Sequence, residues 1–144
     1  MARNPVKRLV WRGVKVVQAV QDNMAEAYME FGLTVERHAK KQLKRGHGVL
    51  TGTLRRSIHV AEPGYAWSAD DVTPGKASPE RGGRGVKAKT IGVKTTLQIG
   101  SGLTYALPVH QGHHSFTGYH YLTNGLAKAK PELPGILKKH QMKK

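Results

Sequence analysis

Apolar residues recur at steps of three and four from Val10 through Val14, Val17, Val20, Met24, Tyr28, Phe31 and Val35, continuing toward Ala39 and Leu43. That spacing is one stripe of a helix. Unbroken from Val6 to Leu43, such a helix would run roughly 55 Å, too long for one small domain to bury. Part of it must project or pack on another chain. Gly13 and Gly32-Leu33-Thr34 offer breaks, and Thr34 is able to cap a second segment starting at Val35, so a kinked or two-part helix is expected. The far side carries Lys7, Arg8, Arg12 and Lys15 at one end and Arg37, Lys40, Lys41, Lys44 and Arg45 at the other. The second cluster suits a helix C-terminus, where cations oppose the negative end of the dipole.

The helical pattern stops at Gly46-His47-Gly48, where two glycines carry a large backbone entropy cost. Thr51-Gly52-Thr53-Leu54-Arg55-Arg56-Ser57-Ile58 follows as a hinge. Gly52 supplies a positive φ for a turn, and the Thr53 hydroxyl is placed to cap what comes next. Leu54 and Ile58 share a face at helical spacing. At period two, Leu54, Ile58 and Val60 also share one, with Arg56 the odd member, so turn and strand both remain open here.

From Ile58 to Glu62 a strand is expected, ended by Pro63-Gly64. Residues 65–86 then collect Gly, Pro, Ser, Asp, Lys and Arg with almost no apolar periodicity, which reads as a long loop with a basic, glycine-rich tip at Arg81 to Gly85. A phosphate-cradling loop would need Gly-Lys-Ser/Thr opening a helix, whereas a strand follows. Ile91, Val93, Thr95, Leu97 and Ile99 alternate as a half-buried strand, with a bulge at Gly92 or a hairpin turn at Lys94-Thr95-Thr96 as variants. The apolar segment Leu103 to Val109 ends at Gly112, and a helix is expected from Leu122 through Lys130. Pro131 to Gly135 should interrupt it, leaving at most a last basic turn over Ile136 to His140.

At 144 residues the chain fits one domain, residues 1–144, with 1–5 as an arm, 65–86 as the long loop and 131–144 as a basic tail. Hydrophobic residues make up 38% but aromatic ones only 6%, and there are 17 glycines, so a thin core completed by other subunits is expected. No run approaches the ~20 apolar residues of a membrane span, and the first residues lack a signal-peptide pattern, so synthesis in the cytoplasm is expected. Zero cysteines exclude disulfides and thiolate metal sites.

The formal charge of +15, spread along the chain, calls for a polyanion and suits nucleic acid held through its phosphates without reading sequence. Solubility alone, or acidic protein neighbours, would also account for it. No base-reading signature is present. His110, His113, His114 and His120 crowd one stretch, with His47 and His59 as further imidazoles, but no Asp or Glu lies between Glu80 and Glu132 to complete a catalytic metal set. Ser57 and Ser115 lack a nucleophile elbow and an acid partner. No enzyme activity, metal or cofactor is expected.

Three landmarks give the chain a family resemblance. The helix ends in His38-Ala39-Lys40-Lys41-Gln42-Leu43 and is followed by a Thr-Gly-x-Leu-Arg-x-Ser-Ile motif at Thr51 to Ile58. A Tyr-Ala-x-x-Val-x-x-Gly motif lies at Tyr105 to Gly112, and Tyr121-Leu122 with Leu126 and Ala127 opens the last helix. In order and spacing these resemble the head-to-tail connection and tail-completion proteins of long-tailed phages, their minor tail or minor capsid components. His110-Gln111 stands where that family often has an acidic-aromatic pair, and His120-Tyr121 where Pro-Phe is usual.

The resemblance implies an α+β subunit, a long N-terminal helix packed on a small antiparallel sheet, with a C-terminal helix and a long basic loop. It further implies a structural ring in the virion neck, hexameric or else dodecameric, touching portal-proximal and tail-tube proteins, with genomic DNA bound non-specifically in its channel. On that reading Arg81, Arg84, Lys87 and Lys89 are lumen candidates. Val10, Val14, Val17, Leu54, Ile58, Tyr105, Val109, Tyr121 and Leu122 are subunit-interface candidates. The alternative is a monomeric basic nucleic-acid-binding module.

Overall fold

The computed structural model describes residues 13–45, 48–49, 52–67, 88–91 and 94–141. The fold is α+β. Helix α1, Gly13–Gln42, is one unbroken rod of 30 residues, about 45 Å long. Gly32 does not break it. An ideal Cβ at Gly32 would lie 2.3 Å from Leu97 Cδ2 and 3.4 Å from Val60 Cγ1, so the absent side chain makes room for the strand layer against the helix. Nor does Thr34 cap a second segment, because its hydroxyl donates to Glu30 O one turn back, at 3.0 Å.

Two residues after α1, strand β1, Lys44–Arg45, pairs in parallel with β2, Gly48–Val49. The hinge resolves into both of its readings in succession. Gly52, at φ 80°, precedes helix α2, Thr53–Ser57, and Ile58 is already extended (φ −68°, ψ 123°) before strand β3, His59–Ala61. Gly52, not Thr53, is the cap residue, and Thr53 is buried in the first turn.

The alternating run is divided. Strand β4, Lys89–Ile91, pairs antiparallel with β5, Lys94–Thr96, in the register Ile91 opposite Lys94. Lys94-Thr95-Thr96 is thus the return strand of the hairpin and not its turn, and Gly92 lies outside the described residues. Leu97 separates β5 from β6, Gln98–Gly100, which pairs antiparallel with β3 through His59–Gly100, Val60–Ile99 and Ala61–Gln98.

Helices α3, Ala106–Gln111, and α4, Tyr121–Ala129, complete the body, and α4 packs on α1. A 3-10 turn, Lys130–Glu132, and helix α5, Leu133–Lys139, replace the expected basic tail. The expected interruption is present but short: α4 stops at Ala129 and, after the 3-10 turn, α5 begins at once, because Pro131 and Pro134 each sit in the first turn of their element, where a missing N–H leaves no bond unmade.

Helix α5 lies back along α1 and is clasped at both ends. His38 Nε2 donates to Glu132 Oε1 at 2.6 Å beside Arg37, and His140 Nε2 donates to Glu30 Oε2 at 2.6 Å beside Lys139. The hydrogen bond from His140, then that from Lys139, holds the Glu30 carboxyl below its ordinary value, and His38 does the same for Glu132. Folding lowers both values, so the clasp is complete above the ordinary carboxylate value of 4.5 and is lost as pH falls through the depressed folded values. Hydrogen exchange across α5, corrected for intrinsic rates, is expected to accelerate in that acid window ahead of the α1–α4 contact. The variant E30Q/E132Q should show the same loosened α5 at neutral pH. Equal protection of α5 in variant and wild type would contradict the clasp.

Candidate assembly surface

The sequence landmarks converge inside the molecule. Ala39 and Leu43 from the helix end, Leu54 and Ile58 from the hinge, Leu103 and Ala106 from the second motif and Tyr121 from the third form one buried cluster. Tyr105, Val109, Leu122 and Ile99 pack half-buried against it. Three of the interface candidates are therefore corrected. Leu54 (4% exposed), Ile58 (0%) and Tyr121 (1%) are used up in the chain's own core and have no surface left for a partner. Apolar spacing reports that a residue is buried, but not in whose core. The Tyr121 hydroxyl donates to Ala106 O, and burial, followed by the nearby Tyr105, pushes its pKa up to about 12.

Between α3 and α4 the chain closes a tight lasso. Gly112 N donates to Pro108 O, Tyr119 N to Val109 O and His120 N to His110 O, while His113 and Phe116 exchange backbone bonds across the tip. The two strands of the neck touch through glycine. A Cβ on Gly112 would lie 2.2 Å from Phe116 O, and one on Gly118 would lie 2.5 Å from both Gly112 N and His110 O. This explains the terminal glycine of the Tyr-Ala-x-x-Val-x-x-Gly motif. His110 stacks edge-on against Tyr121 at 4.9 Å, and burial, then the charge of His120, lowers its pKa.

His120 faces His110 at 5.6 Å and His114 faces His113 at 5.8 Å, both edge-on, while His47 lies outside the described residues. His59 is buried under Tyr65 and Trp67, with ring centroids 5.4 and 5.0 Å away, and its Nδ1 donates to Ser57 O. Among the described residues no group of three or more His, Asp or Glu is arranged to hold a metal ion. Ser57 is buried, donating to Leu54 O and meeting Ser101 Oγ at 2.6 Å, so its hydroxyl serves the turn. No helix among the described residues is long and apolar enough to cross a membrane.

What remains open is the seam of α1. From Ala27 onward its apolar side is partly covered, with Ala27 at 1%, Val35 at 3% and Ala39 at 0% exposure but Tyr28 and Phe31 only half-buried, whereas Val16, Val17 and Val20 are 50%, 56% and 45% exposed. The stripe Val17, Val20, Met24, Tyr28 then runs into an open groove of about 510 Å3 floored by Tyr28, Phe31 and Val35 and walled by Leu97, Ile99 and Leu126. Val17 is the interface candidate that the structure leaves bare. Val10 lies outside the described residues, as does the side chain of Val14. Arg81, Arg84 and Lys87 also lie outside them, and Lys89 is placed in β4 by its backbone alone.

A second cavity, about 400 Å3, opens between β6 and α3 and is lined by Trp67, Gln98, Ser101, Leu107, His110 and Leu122. Trp67 Nε1 donates to Gln98 Oε1 at its edge. Sequence reading missed this cavity because its walls come from four separated stretches.

Compared with protein-family models, curated proteins and solved structures, the chain matches none.

Proposed function

We propose that this chain is a non-enzymatic structural subunit of a phage neck, a head-to-tail connector or tail-completion ring that joins the DNA-filled head to the tail. The observation that carries the reading is the half-covered seam of α1. One rigid helix is packed against its own subunit at Ala27, Val35 and Ala39 and is bare at Val16, Val17 and Val20. Covering an apolar side chain of this size stabilises by about 1.5–3 kcal/mol, so three bare valines on a projecting rod favour a partner surface. A head-to-tail contact between copies closes into a ring when its rotation divides a full turn. The motif pattern at Thr51–Ile58, Tyr105–Gly112 and Tyr121–Leu122 supplies the phage context of the reading.

Sedimentation velocity and electron microscopy of the chain, alone and mixed with neck and tail-tube proteins, test this. Closed rings, sixfold in the leading case, are expected. The variant V17E/V20E should weaken self-association by at least about 100-fold, equivalent to roughly 3 kcal/mol. Its helical content should stay unchanged, because both side chains already face water. A monomer under every condition would overturn the ring, and a monomer that still binds DNA tightly would replace it with the basic nucleic-acid-binding module.

A further inference from the structure

The positive charge is unevenly compensated. Of the carboxylates in the described residues, Glu26, Glu30, Glu36 and Glu132 pair with His140, Lys139, Lys40 and Arg37 or His38, all along α1 and the segment that lies back on it. Asp22 accepts a hydrogen bond from Gln18 in the projecting half of α1. Glu62 is exposed beyond β3, about 13 Å of extended chain from Ile58. That exceeds the screening length of about 8 Å at physiological salt. The end of the molecule where α1 stops and α2 begins carries Lys41, Lys44, Arg55 and Arg56, all exposed; Glu132, held by Arg37 and His38, acts on Lys41 across space, and no acid among the described residues is in an ion pair with Lys44, Arg55 or Arg56.

These side chains border one patch of core, because Leu43 and Leu54 enter the same buried cluster beside them. The helix dipole accounts for Lys41 at the end of α1, but it does not ask for two arginines on a five-residue turn. That turn is firmly seated. Thr53, Leu54 and Ser57 are buried, and Ser57 is bonded to Leu54 O and to Ser101, so Arg55 and Arg56 project from an anchored base. A planar guanidinium on a fixed mount suits phosphate oxygens, since less freedom is lost per bond formed.

We infer that the end of the molecule formed by the close of α1 and by α2 is a nucleic-acid phosphate-binding surface, with Lys41, Lys44, Arg55 and Arg56 as its contacts. It reads backbone charge and not base sequence. It requires neither the ring nor the loop residues Arg81 and Arg84.

Fluorescence anisotropy of the full chain with a short mixed-sequence DNA duplex, across a salt series, tests it. Each phosphate neutralised contributes about 0.9 to the slope of log affinity against log salt. The variant K41Q/K44Q/R55Q/R56Q should flatten that slope by about 3.6. Between about 50 and 200 mM salt the wild type should then lose about 150-fold more affinity than the variant. R55Q/R56Q alone should flatten it by about 2, which keeps the test available if the fourfold variant folds poorly. K128Q/K138Q, on exposed positions of α4 and α5, should leave it unchanged.

A folded variant with the wild-type slope, or equal flattening by K128Q/K138Q, would overturn the inference. So would polyglutamate displacing DNA as well as unlabelled DNA does at equal charge, because the partner would then be an acidic protein surface. Sedimentation of the same samples decides the ring separately: a monomer with the expected slopes removes the ring and keeps this surface, and a ring with flat slopes does the reverse.

Discussion

Alanine at Gly118 is expected to open the lasso between α3 and α4 and to lower stability by about 4 kcal/mol, at the upper end of single-substitution effects. Gly118 sits at φ 79°, where an L side chain costs about 1–2 kcal/mol. Its Cβ would also stand 2.5 Å from Gly112 N and His110 O and 2.6 Å from Gln111 C, all backbone atoms that cannot rotate aside. The neck must separate, breaking the bonds from Tyr119 N to Val109 O and from His120 N to His110 O. His110 and Tyr121 then lose their mutual seating at the start of α4. A thermal midpoint lowered by about 12 °C, with exchange concentrated in residues 109–121, is the expected readout. A midpoint within a degree of wild type would show that the neck is not closed in solution.

The second large effect is expected at Gly125. A Cβ there would lie 2.7 Å from Ala39 N, 2.8 Å from Ala39 Cα and 2.9 Å from Ala39 Cβ, so Gly125→Ala drives α4 away from α1 along their whole contact. Overpacking of this kind typically costs 1–3 kcal/mol, and the better helix propensity of alanine returns at most about 1. The net loss should be about 2 kcal/mol, or about 6 °C in melting temperature. Gly32→Ala supplies the contrast. Its closest neighbour is Leu97 Cδ2, the end of a rotatable side chain, so relaxation and helix propensity should leave the net change within about 1 kcal/mol. If the two alanine variants melted together, helix propensity rather than close approach would govern both sites.

This pair also shows where the sequence was informative. The α1 stripe was legible because periodicity over a long window outweighs any single residue, and the same window explains why Gly32 failed to break it. A glycine costs about 1 kcal/mol, which a cooperative helix packed on Leu97 and Val60 absorbs. Helix α5 was illegible for the opposite reason. Its partners stand far back in the chain, Arg37 to Glu132 spanning 95 residues and His140 to Glu30 spanning 110, and no local pattern announces such a clasp. The landmarks around Leu54, Ile58, Tyr105 and Tyr121 mark the cluster that holds the fold together rather than a face offered to a neighbour. The bare valines were legible as apolar, but their exposure follows only from where α4 and α5 stop covering α1.

Because α1 runs unbroken from Gly13 to Gln42, its anchored and projecting halves cannot move independently. It is a lever whose last support is near Glu26 and Ala27, where His140 and the body of the subunit hold it. Val16 lies about 15 Å along the rod from that point, so a tilt of roughly 10° there sweeps the valine through about 3 Å. Tilts at that support thereby become displacements large enough to engage or disengage whatever the far tip touches.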